Sequence, residues 1–491
     1  MKVLLAGYNV DTEALKERHK KRSALTPESI AAAYARISRS AKSVDTLRRD
    51  ARREVEKART SNRRIIFNMG HHSIAEHAVF NFDIIGISRR CVEELEKFRL
   101  CSYTEKSQRY VTLEGDYAVP RELTDTRRKR EFRDMVKRQN TLYVRLYEKI
   151  RAGNLDVSAE RSQAKSSVRT LENRAKEDAR YILSMATHTQ LGATVNARNL
   201  ELIIRRCASH SLLEMNELGR KLYRCVKKVA PSVILFCDAN DYDEKTYPRL
   251  RSYCRTVTEK TEGRRYDDVK LVDYTRGADV KILAALVFRS TQRDYASCLR
   301  AVQRMSQKQR TALFKKTCQY MELYDTAPRE FECAELTYSL IVSAACFGQL
   351  KRHRIATLVC QEYDPSLGYT VPESIKAVGE LKQFASIVEQ TEELYHRIEK
   401  KRAGVGSYIL TNAHRKRVLL SVNLRELYHI SRLREDSSAQ WDIRDKAHTM
   451  TRLAKKVMPV TAQLLCGKEE YPRLYYRLFG KKPRITEVPE P

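Results

Sequence analysis

No apolar run in this chain approaches the ~20 residues that a membrane-spanning helix requires. That removes the common kind of integral membrane protein from consideration. There is no Walker-type Gly-rich loop, no GxGxxG turn and no HExxH pair. P-loop phosphate binding, dinucleotide binding of the Rossmann type and zincin chemistry therefore lack their sequence signatures. The 12 Cys residues, Cys91, Cys101, Cys207, Cys333 and Cys360 among them, form no CxxC pair and no Cys/His group with zinc spacing. They read as reduced thiols that fill space, and no metal site is expected. The opening "MKVLLAGYNV" carries one Lys and a short apolar stretch. It reads as a strand and not as a signal peptide, so a cytoplasmic protein is expected.

What the chain does have is charge and a sizeable core. Of its 491 residues 42% are hydrophobic, which excludes wholesale disorder. Its 93 Lys and Arg against 62 Asp and Glu leave a formal charge of +31. Such a surface attracts polyanions or small anionic molecules. Part of the excess is local, as in "RRKR" at Arg127 to Arg130, which reads as a solvated helix face. Nucleic acid is a possible partner on this ground but not the favoured one.

The order of elements occurs twice. "VLLAGY" at Val3 to Tyr8 returns as "VKLVDY" at Val269 to Tyr274. Phe80, Phe82 and Ile84 alternate with Asn81 and Asp83, the period of a half-buried strand, and Leu336, Tyr338, Leu340 and Val342 repeat that pattern. Each strand leads into a helix-like segment with a basic cluster, "EELEKFRLCSYTEKSQRY" and then "FGQLKRHRIATLVCQEY". "TVNARNLELIIRR" finds its counterpart in "SVNLRELYHISRLR". The expected organisation is a tandem duplication: repeat 1 over 1–235, a polar linker over 236–267, repeat 2 over 268–470 and a loose tail over 471–491. The expected class is α+β, each repeat a small twisted sheet with several helices. Ile443, Ala447, Met450, Leu453 and Val457 lie at helical intervals in one of the clearest helix patterns.

The motifs then add up to a family pattern. "GHHSIAEH" spans Gly70 to His77, "RHR" spans Arg352 to Arg354, and "LREDSSAQWDIR" spans Leu433 to Arg444. With the two VNAR-type segments, this ordered set resembles the flavin-dependent thymidylate synthases across nearly the whole chain outside linker and tail. The resemblance implies bound FAD, NADPH as reductant, methylenetetrahydrofolate as one-carbon donor and dUMP as acceptor. It implies no attacking cysteine. It also implies active sites assembled at subunit contacts of a homotetramer, so a chain with two repeats would form a homodimer.

Carried over position by position, the resemblance assigns Arg352, His353 and Arg354 to FAD, along with His71, Ser73, Glu105, Asn196, Arg198, Asn423 and Arg425. It assigns Gln349, Arg352, Glu105, Ser107, Arg109, Arg180 and Arg434 to dUMP, with Arg434 also the catalytic cation against the uracil. Arg352 and Arg354 suit charge-assisted hydrogen bonds to phosphate or carbonyl oxygen, and Ser107, Arg109 and Arg180 suit a phosphate. Glu105 would bridge its loop to flavin or to a basic neighbour. His77 is expected to be structural.

The two repeats depart from the pattern in opposite halves. Repeat 1 reads Lys97-Phe98-Arg99 in place of RHR but keeps Ser107, Arg109 and Arg180. Repeat 2 keeps Gln349 and RHR but has Glu362 and Asp364 in the nucleotide loop and Ser407 in the place of Arg180. The expectation is a composite site that takes the nucleotide loop from repeat 1 and the flavin arm from repeat 2. Two other readings compete with a thymidylate synthase: a flavin-dependent methylase of uridine in a polynucleotide, and a non-catalytic flavin or nucleotide binder.

Overall fold

A computed structural model describes residues 1–16, 25–111, 115–160, 168–258 and 267–484. The chain forms two compact units: Met1–Glu262 with Pro372–Asn412, and Gly263–Val371 with Ala413–Pro491. Each unit holds one antiparallel sheet of four strands among several helices, so the architecture is α+β as expected.

In the first unit the strands are β1 (Lys2–Tyr8), β2 (Val79–Ser88), β3 (Ser102–Glu105) and β4 (His188–Asn196), in the order β1-β2-β4-β3. Phe80, Phe82 and Ile84 of β2 are buried while Asn81, Asp83 and Ile85 face outward, the alternation of a sheet with one wet face. The second unit repeats this with β5 (Val269–Tyr274), β6 (Glu335–Ser343), β7 (Thr357–Cys360) and β8 (Arg415–Asn423), in the order β5-β6-β8-β7. Leu336, Tyr338, Leu340 and Val342 fill its core.

The same capping device ends the central strands in both units. Ser88 and Ser343 accept the backbone N–H groups of Cys91 and Cys346, which starts the helices Arg89–Leu95 and Ala344–Leu350. Asn196 and Asn423 do so for Asn199 and Glu426 at the helices Ala197–Ala208 and Leu424–Arg434. The helix-like segments expected after β2 and β6 are therefore shorter than the pattern suggested. Each stops at a Leu, and an edge strand of four residues, β3 or β7, follows the basic cluster. A strand this short carries too few alternations to be told from a loop by period alone.

Within the first unit, residues 372–412 fold with the repeat 1 helix Thr126–Glu160. Gln139 donates to the Thr391 hydroxyl (2.9 Å) and the Ile409 carbonyl (3.1 Å). Glu380 takes Arg145 at 2.6 Å and Lys149 at 2.5 Å. Ser184 and Thr411, equivalent positions of the two repeats, bridge each other, with Met185 N–H to Leu410 O (2.8 Å) and Asn412 N–H to Leu183 O (2.9 Å) on either side. Sequence repeat and compact unit thus do not coincide over this stretch.

Two segments differ from expectation. The polar linker contains the helix Asp241–Thr258, with Pro248 inside it. The tail begins as the helix Tyr471–Phe479, whose buried Tyr471 and Tyr475 donate to the carbonyls of Met321 (2.6 Å) and Gln319 (2.5 Å). Its tyrosines, spaced at one helical turn, anchor it to the core despite the Pro-bearing end. The ends of both segments, 259–266 and 485–491, lie outside the described residues.

Candidate active site

In the second unit the RHR triplet follows the helix Ala344–Leu350 directly. Ser343, which caps that helix, also donates to the carboxylate of Asp442 at 2.5 Å, so strand end and helix start are held together. Arg352 and Arg354 are exposed; His353 is only 3% exposed. Arg434 Nε donates to His353 Nε2 at 2.9 Å, and Arg434 Nη2 donates to the Gln349 carbonyl at 3.3 Å. Gln349 in turn donates to Gln440 at 3.3 Å. The structure therefore brings together Gln349, His353 and Arg434, expected from sequence to share a site.

This geometry fixes the chemistry of His353. Its Nε2 lone pair accepts from a guanidinium, so the ring proton sits on Nδ1, which faces Glu426 Oε1 at 3.4 Å. Burial holds the imidazole below its ordinary pKa against the pull of Glu426, and the charge of Arg434 acts with the burial. His429 lies edge-on to it at 5.7 Å, and the ligating atoms of His353, Glu426 and His429 fall within 4.8 Å of one another. A metal on Nδ1 would need the nitrogen that carries the proton. Arg434 on Nε2, the Glu426 carboxylate facing Nδ1 and the His429 ring edge together orient His353.

In the first unit the loop expected from sequence to meet the nucleotide follows β3. Glu105 is buried and meets Arg89 at 2.5 Å; of the two partners expected for it, the structure supplies the basic neighbour. Ser107 Oγ accepts the backbone N–H of Arg109 at 3.1 Å, which curls the loop. The Arg109 guanidinium pairs with the carboxylate of Glu177. Arg180 is buried, its Nε donates to the Glu177 carbonyl at 3.2 Å, and its Nη2 has no hydrogen-bond partner among the described residues. Asn412 joins this cluster by donating to Gln108 Oε1 (3.1 Å) and the Arg180 carbonyl (2.9 Å). Burial lowers the pKa of Arg180 and raises that of Glu177, an upward shift that the charges of Arg109 and Arg180 offset only in part. A buried guanidinium with an unmatched N–H donor is a group of the kind that hydrogen-bonds to anionic oxygen.

The decayed positions have partners of their own. Glu94, which stands where repeat 2 has Gln349, takes both Arg90 and Lys97 at 2.5 Å. Burial opposes its charge, but Arg90 and Lys97 outweigh the burial and hold it well below the usual carboxylate range. Lys97 is thus neutralised within its own unit. Ser407, in the place of Arg180, accepts from Arg90 Nε at 2.8 Å. In repeat 2, Asp364 faces Arg417 at 3.5 Å.

The VNAR-type residues act first as structure. The side chains of Asn196 and Asn423 are helix caps. Arg425 donates to the Ala327 carbonyl (2.7 Å) and to Glu332 (2.9 Å). Arg198 pairs with Glu76 at 2.6 Å and is half exposed. His71 and Ser73 are exposed at the same end, and His77 packs edge-on against Tyr34 at 4.8 Å.

Glu177 and the pair Glu214/Asp442 are buried partners of these segments that the sequence reading did not single out. Glu214 accepts from Ser88 N (2.8 Å), Ser88 Oγ (2.7 Å) and Tyr408 OH (2.9 Å), with Cys91 Sγ at 3.3 Å. The alignable "SLLEM" and "AQWDI" put Glu214 opposite Asp442, and a carboxylate at the same place in both repeats was the available signal. Cys91 and Cys346 are buried beside these carboxylates, which with burial raises both thiols well above their ordinary pKa. Neither is an available nucleophile.

A family model described as thymidylate synthase complementing protein, Thy1, matches residues 22–232 and 270–460. The chain belongs to this family. It carries the Thy1 pattern in two copies. Among its relatives is a UPF0159 protein of Thermoplasma acidophilum, 26% identical over 439 residues that cover 82% of this chain and 87% of the relative. A flavin-dependent thymidylate synthase of Clostridium tetani is 29% identical over 213 residues, 43% of this chain and 82% of that protein. One of Geobacter sulfurreducens is 33% identical over 172 residues, 34% of this chain and 65% of that protein. Among solved structures, the flavin-dependent thymidylate synthase ThyX of Helicobacter pylori complexed with FAD and dUMP is 21% identical, with 48% of this chain and 100% of that chain covered and a TM-score of 0.30.

Proposed function

We propose that this Thy1 protein is a flavin-dependent thymidylate synthase that methylates dUMP to dTMP with methylenetetrahydrofolate and NADPH. In this reading one competent site draws its nucleotide loop from repeat 1 and its flavin arm from repeat 2. The observation that carries it is the matched decay: Gln349, His353 and Arg434 converge where the RHR arm is intact, and Arg109 and Arg180 converge where the nucleotide loop is intact. The alternative set, Lys97 with Glu94 and Asp364 with Arg417, is internally neutralised.

The residues fit FAD. Arg352 and Arg354 are exposed donor-only side chains that flank a buried, neutral imidazole, a set suited to phosphate and carbonyl oxygens. Of the two VNAR copies, Arg425 is committed to a carbonyl and a carboxylate, whereas the half-exposed Arg198 stands with the exposed His71 and Ser73. Repeat 1 would supply that part of the flavin contact. Bound FAD supplies the hydride carrier between NADPH and the pyrimidine.

The protein's own residues then have defined tasks. Ser107, Arg109 and Arg180 hold the phosphate. Gln349 and Arg434 address the base, where a fixed cation stabilises negative charge as it develops on the ring. His353 and the Gln349 carbonyl fix the guanidinium of Arg434, so little reorganisation is needed during the reaction. The buried Arg180 favours a terminal phosphate clamp, hence a free nucleotide over a polynucleotide.

The test is the absorption spectrum of the purified protein after FAD is added. The reading expects flavin bands that bleach with NADPH at a rate that responds to dUMP. A protein that takes up no FAD sinks it.

A further inference from the structure

Charge is spread unevenly along this chain. Residues 281–320 hold nine Lys and Arg against one acidic residue, Asp294, where the whole chain holds 93 against 62. Most of this stretch lies in two helices of the second unit, Tyr295–Arg304 and Gln307–Cys318, which pack against the helix Ala278–Arg289. None of the residues assigned above to flavin or nucleotide lies on them.

Each of the two helices buries one side and turns cations to the other. Cys298 and Val302 are buried; at about 100° per residue Arg300 lies opposite them, with Ala296 and Arg304 on either side of it. Phe314 and Cys318 are buried in the next helix, opposite a ridge of Lys308, Ala312 and Lys316 that Tyr320 continues past the helix end. Ala296, Arg300, Arg304, Lys308, Ala312, Lys316 and Tyr320 are all exposed. The helices meet at the turn Met305-Ser306, where Arg310 donates to the carbonyls of Val302 (3.1 Å) and Gln303 (2.8 Å). At the far end the Lys481 ammonium stands 5.5 Å from the centre of the Tyr320 ring, which adds another exposed cation to that edge.

Arg293, Arg300, Arg304, Lys308, Lys315 and Lys316 form no ion pair among the described residues. The first unit supplies the contrast, since the helices Val44–Arg53 and Val55–Arg63 likewise fall between the first two strands of its sheet. There Arg48 and Arg52 pair with Asp11, Lys57 with Glu54 and Arg59 with Glu28. We infer that the exposed face of the helices Tyr295–Arg304 and Gln307–Cys318 is a docking surface for single-stranded nucleic acid, with phosphates on the cations and a base on Tyr320. Charge complementarity selects a polyanion: like charges one helical turn apart, as at Arg300 and Arg304, repel each other, and a row of phosphates relieves that. The uncharged side chains select nucleic acid over an anionic membrane. Tyr320 is 75% exposed beside Lys481, a platform for a base, and Gln303 and Gln309 offer amides. Across residues 292–320 no Leu, Val, Met or Phe is exposed that could enter a bilayer. The surface is separate from the phosphate clamp and does not depend on the activity proposed above.

The test uses the full chain and a fluorescent single strand of about 20 nucleotides, once as DNA and once as RNA. Anisotropy should show saturable binding to at least one of them, with a Kd in the micromolar range at about 0.1 M salt. Log Kd should rise with log salt by about 0.7 for each phosphate neutralised. The combined variant Arg300→Gln, Arg304→Gln, Lys308→Gln, Lys316→Gln should bind about 100-fold more weakly, with that slope reduced by ~3. The combined control Arg127→Gln, Arg130→Gln, Arg133→Gln, Lys137→Gln removes the same charge from exposed positions of the helix Thr126–Glu160 and should stay within about threefold of the parent. Tyr320→Ala should lose about tenfold and keep the parent's slope. No saturable binding of either strand, or a control that loses as much as the first variant, overturns the inference. So does binding to phosphatidylserine vesicles by a chain that ignores both strands, which would make the partner a membrane.

Discussion

Glu177→Gln should tighten dUMP binding. In the nucleotide-loop cluster the Glu177 carboxylate pairs with Arg109, while among the described residues Arg180 donates to the backbone carbonyl of Glu177. A phosphate that uses Arg109 has to displace that carboxylate or share the cation with it. Two unit charges about 4 Å apart at an effective dielectric constant of ~20 attract by about 4 kcal/mol. The Arg109 and Glu177 side chains are 20% and 11% exposed, so part of this attraction is already offset by lost hydration. About 1–2 kcal/mol of net preference remains for such a half-buried pair. Since ~1.4 kcal/mol is tenfold in affinity, the neutral amide should lower the Kd for dUMP about tenfold. Gln keeps the length and the hydrogen bonding of Glu, which limits damage to the fold. Titration calorimetry on the FAD-loaded protein reads the value directly. A Kd that rises tenfold would refute the reasoning, because Glu177 would then be needed to hold Arg109 in place.

Three further outcomes follow from the same contacts. Burial depresses the pKa of His353 below its ordinary 6.5, so the unfolded chain gains the proton first as pH falls. The stability this residue contributes is complete above 6.5 and is lost as pH drops towards the folded value; urea midpoints measured between about pH 7.5 and about pH 5.5 should fall less in His353→Gln than in the parent. Glu214→Ala leaves Ser88 N–H, Ser88 Oγ and Tyr408 OH without their acceptor, at about 1–3 kcal/mol for each buried orphan, so amide exchange in the helix Arg89–Leu95 should accelerate strongly while that in Ala344–Leu350 stays near the parent rate. Arg198→Ala should weaken FAD uptake roughly tenfold, whereas Arg425→Ala should lower the stability of the second unit and leave FAD affinity close to parental.

The sheets were legible because β2 and β6 alternate cleanly, and the duplication because its motifs recur in one order. The grouping of Gln349 and His353 with Arg434 was legible from the motifs: Arg434 lies 85 and 81 residues further on and meets both in space. What escaped has physical reasons. Strands of four residues, β3 and β7, carry almost no periodic signal. The partner of Arg109 was hidden because a Glu in a charged helix such as "ENRAKEDAR" reads as solvated surface. The helix Asp241–Thr258 escaped because Pro248 and polar neighbours read as a linker, while its tyrosines form a face only when wound at 100° per residue. The incorporation of residues 372–412 into the first unit is set by tertiary contacts such as Gln139 to Thr391, which no local pattern reports.

The division of labour between the repeats is tested most directly by dTMP formation from dUMP in four single variants measured side by side. The account predicts that Arg354→Ala and Arg109→Ala each lose at least about 100-fold in rate, because each removes a charged contact from the competent site. It predicts that Arg99→Ala and Asp364→Ala stay within about threefold of the parent, since the account assigns neither residue to the competent site. Comparable losses in all four would contradict a single composite site.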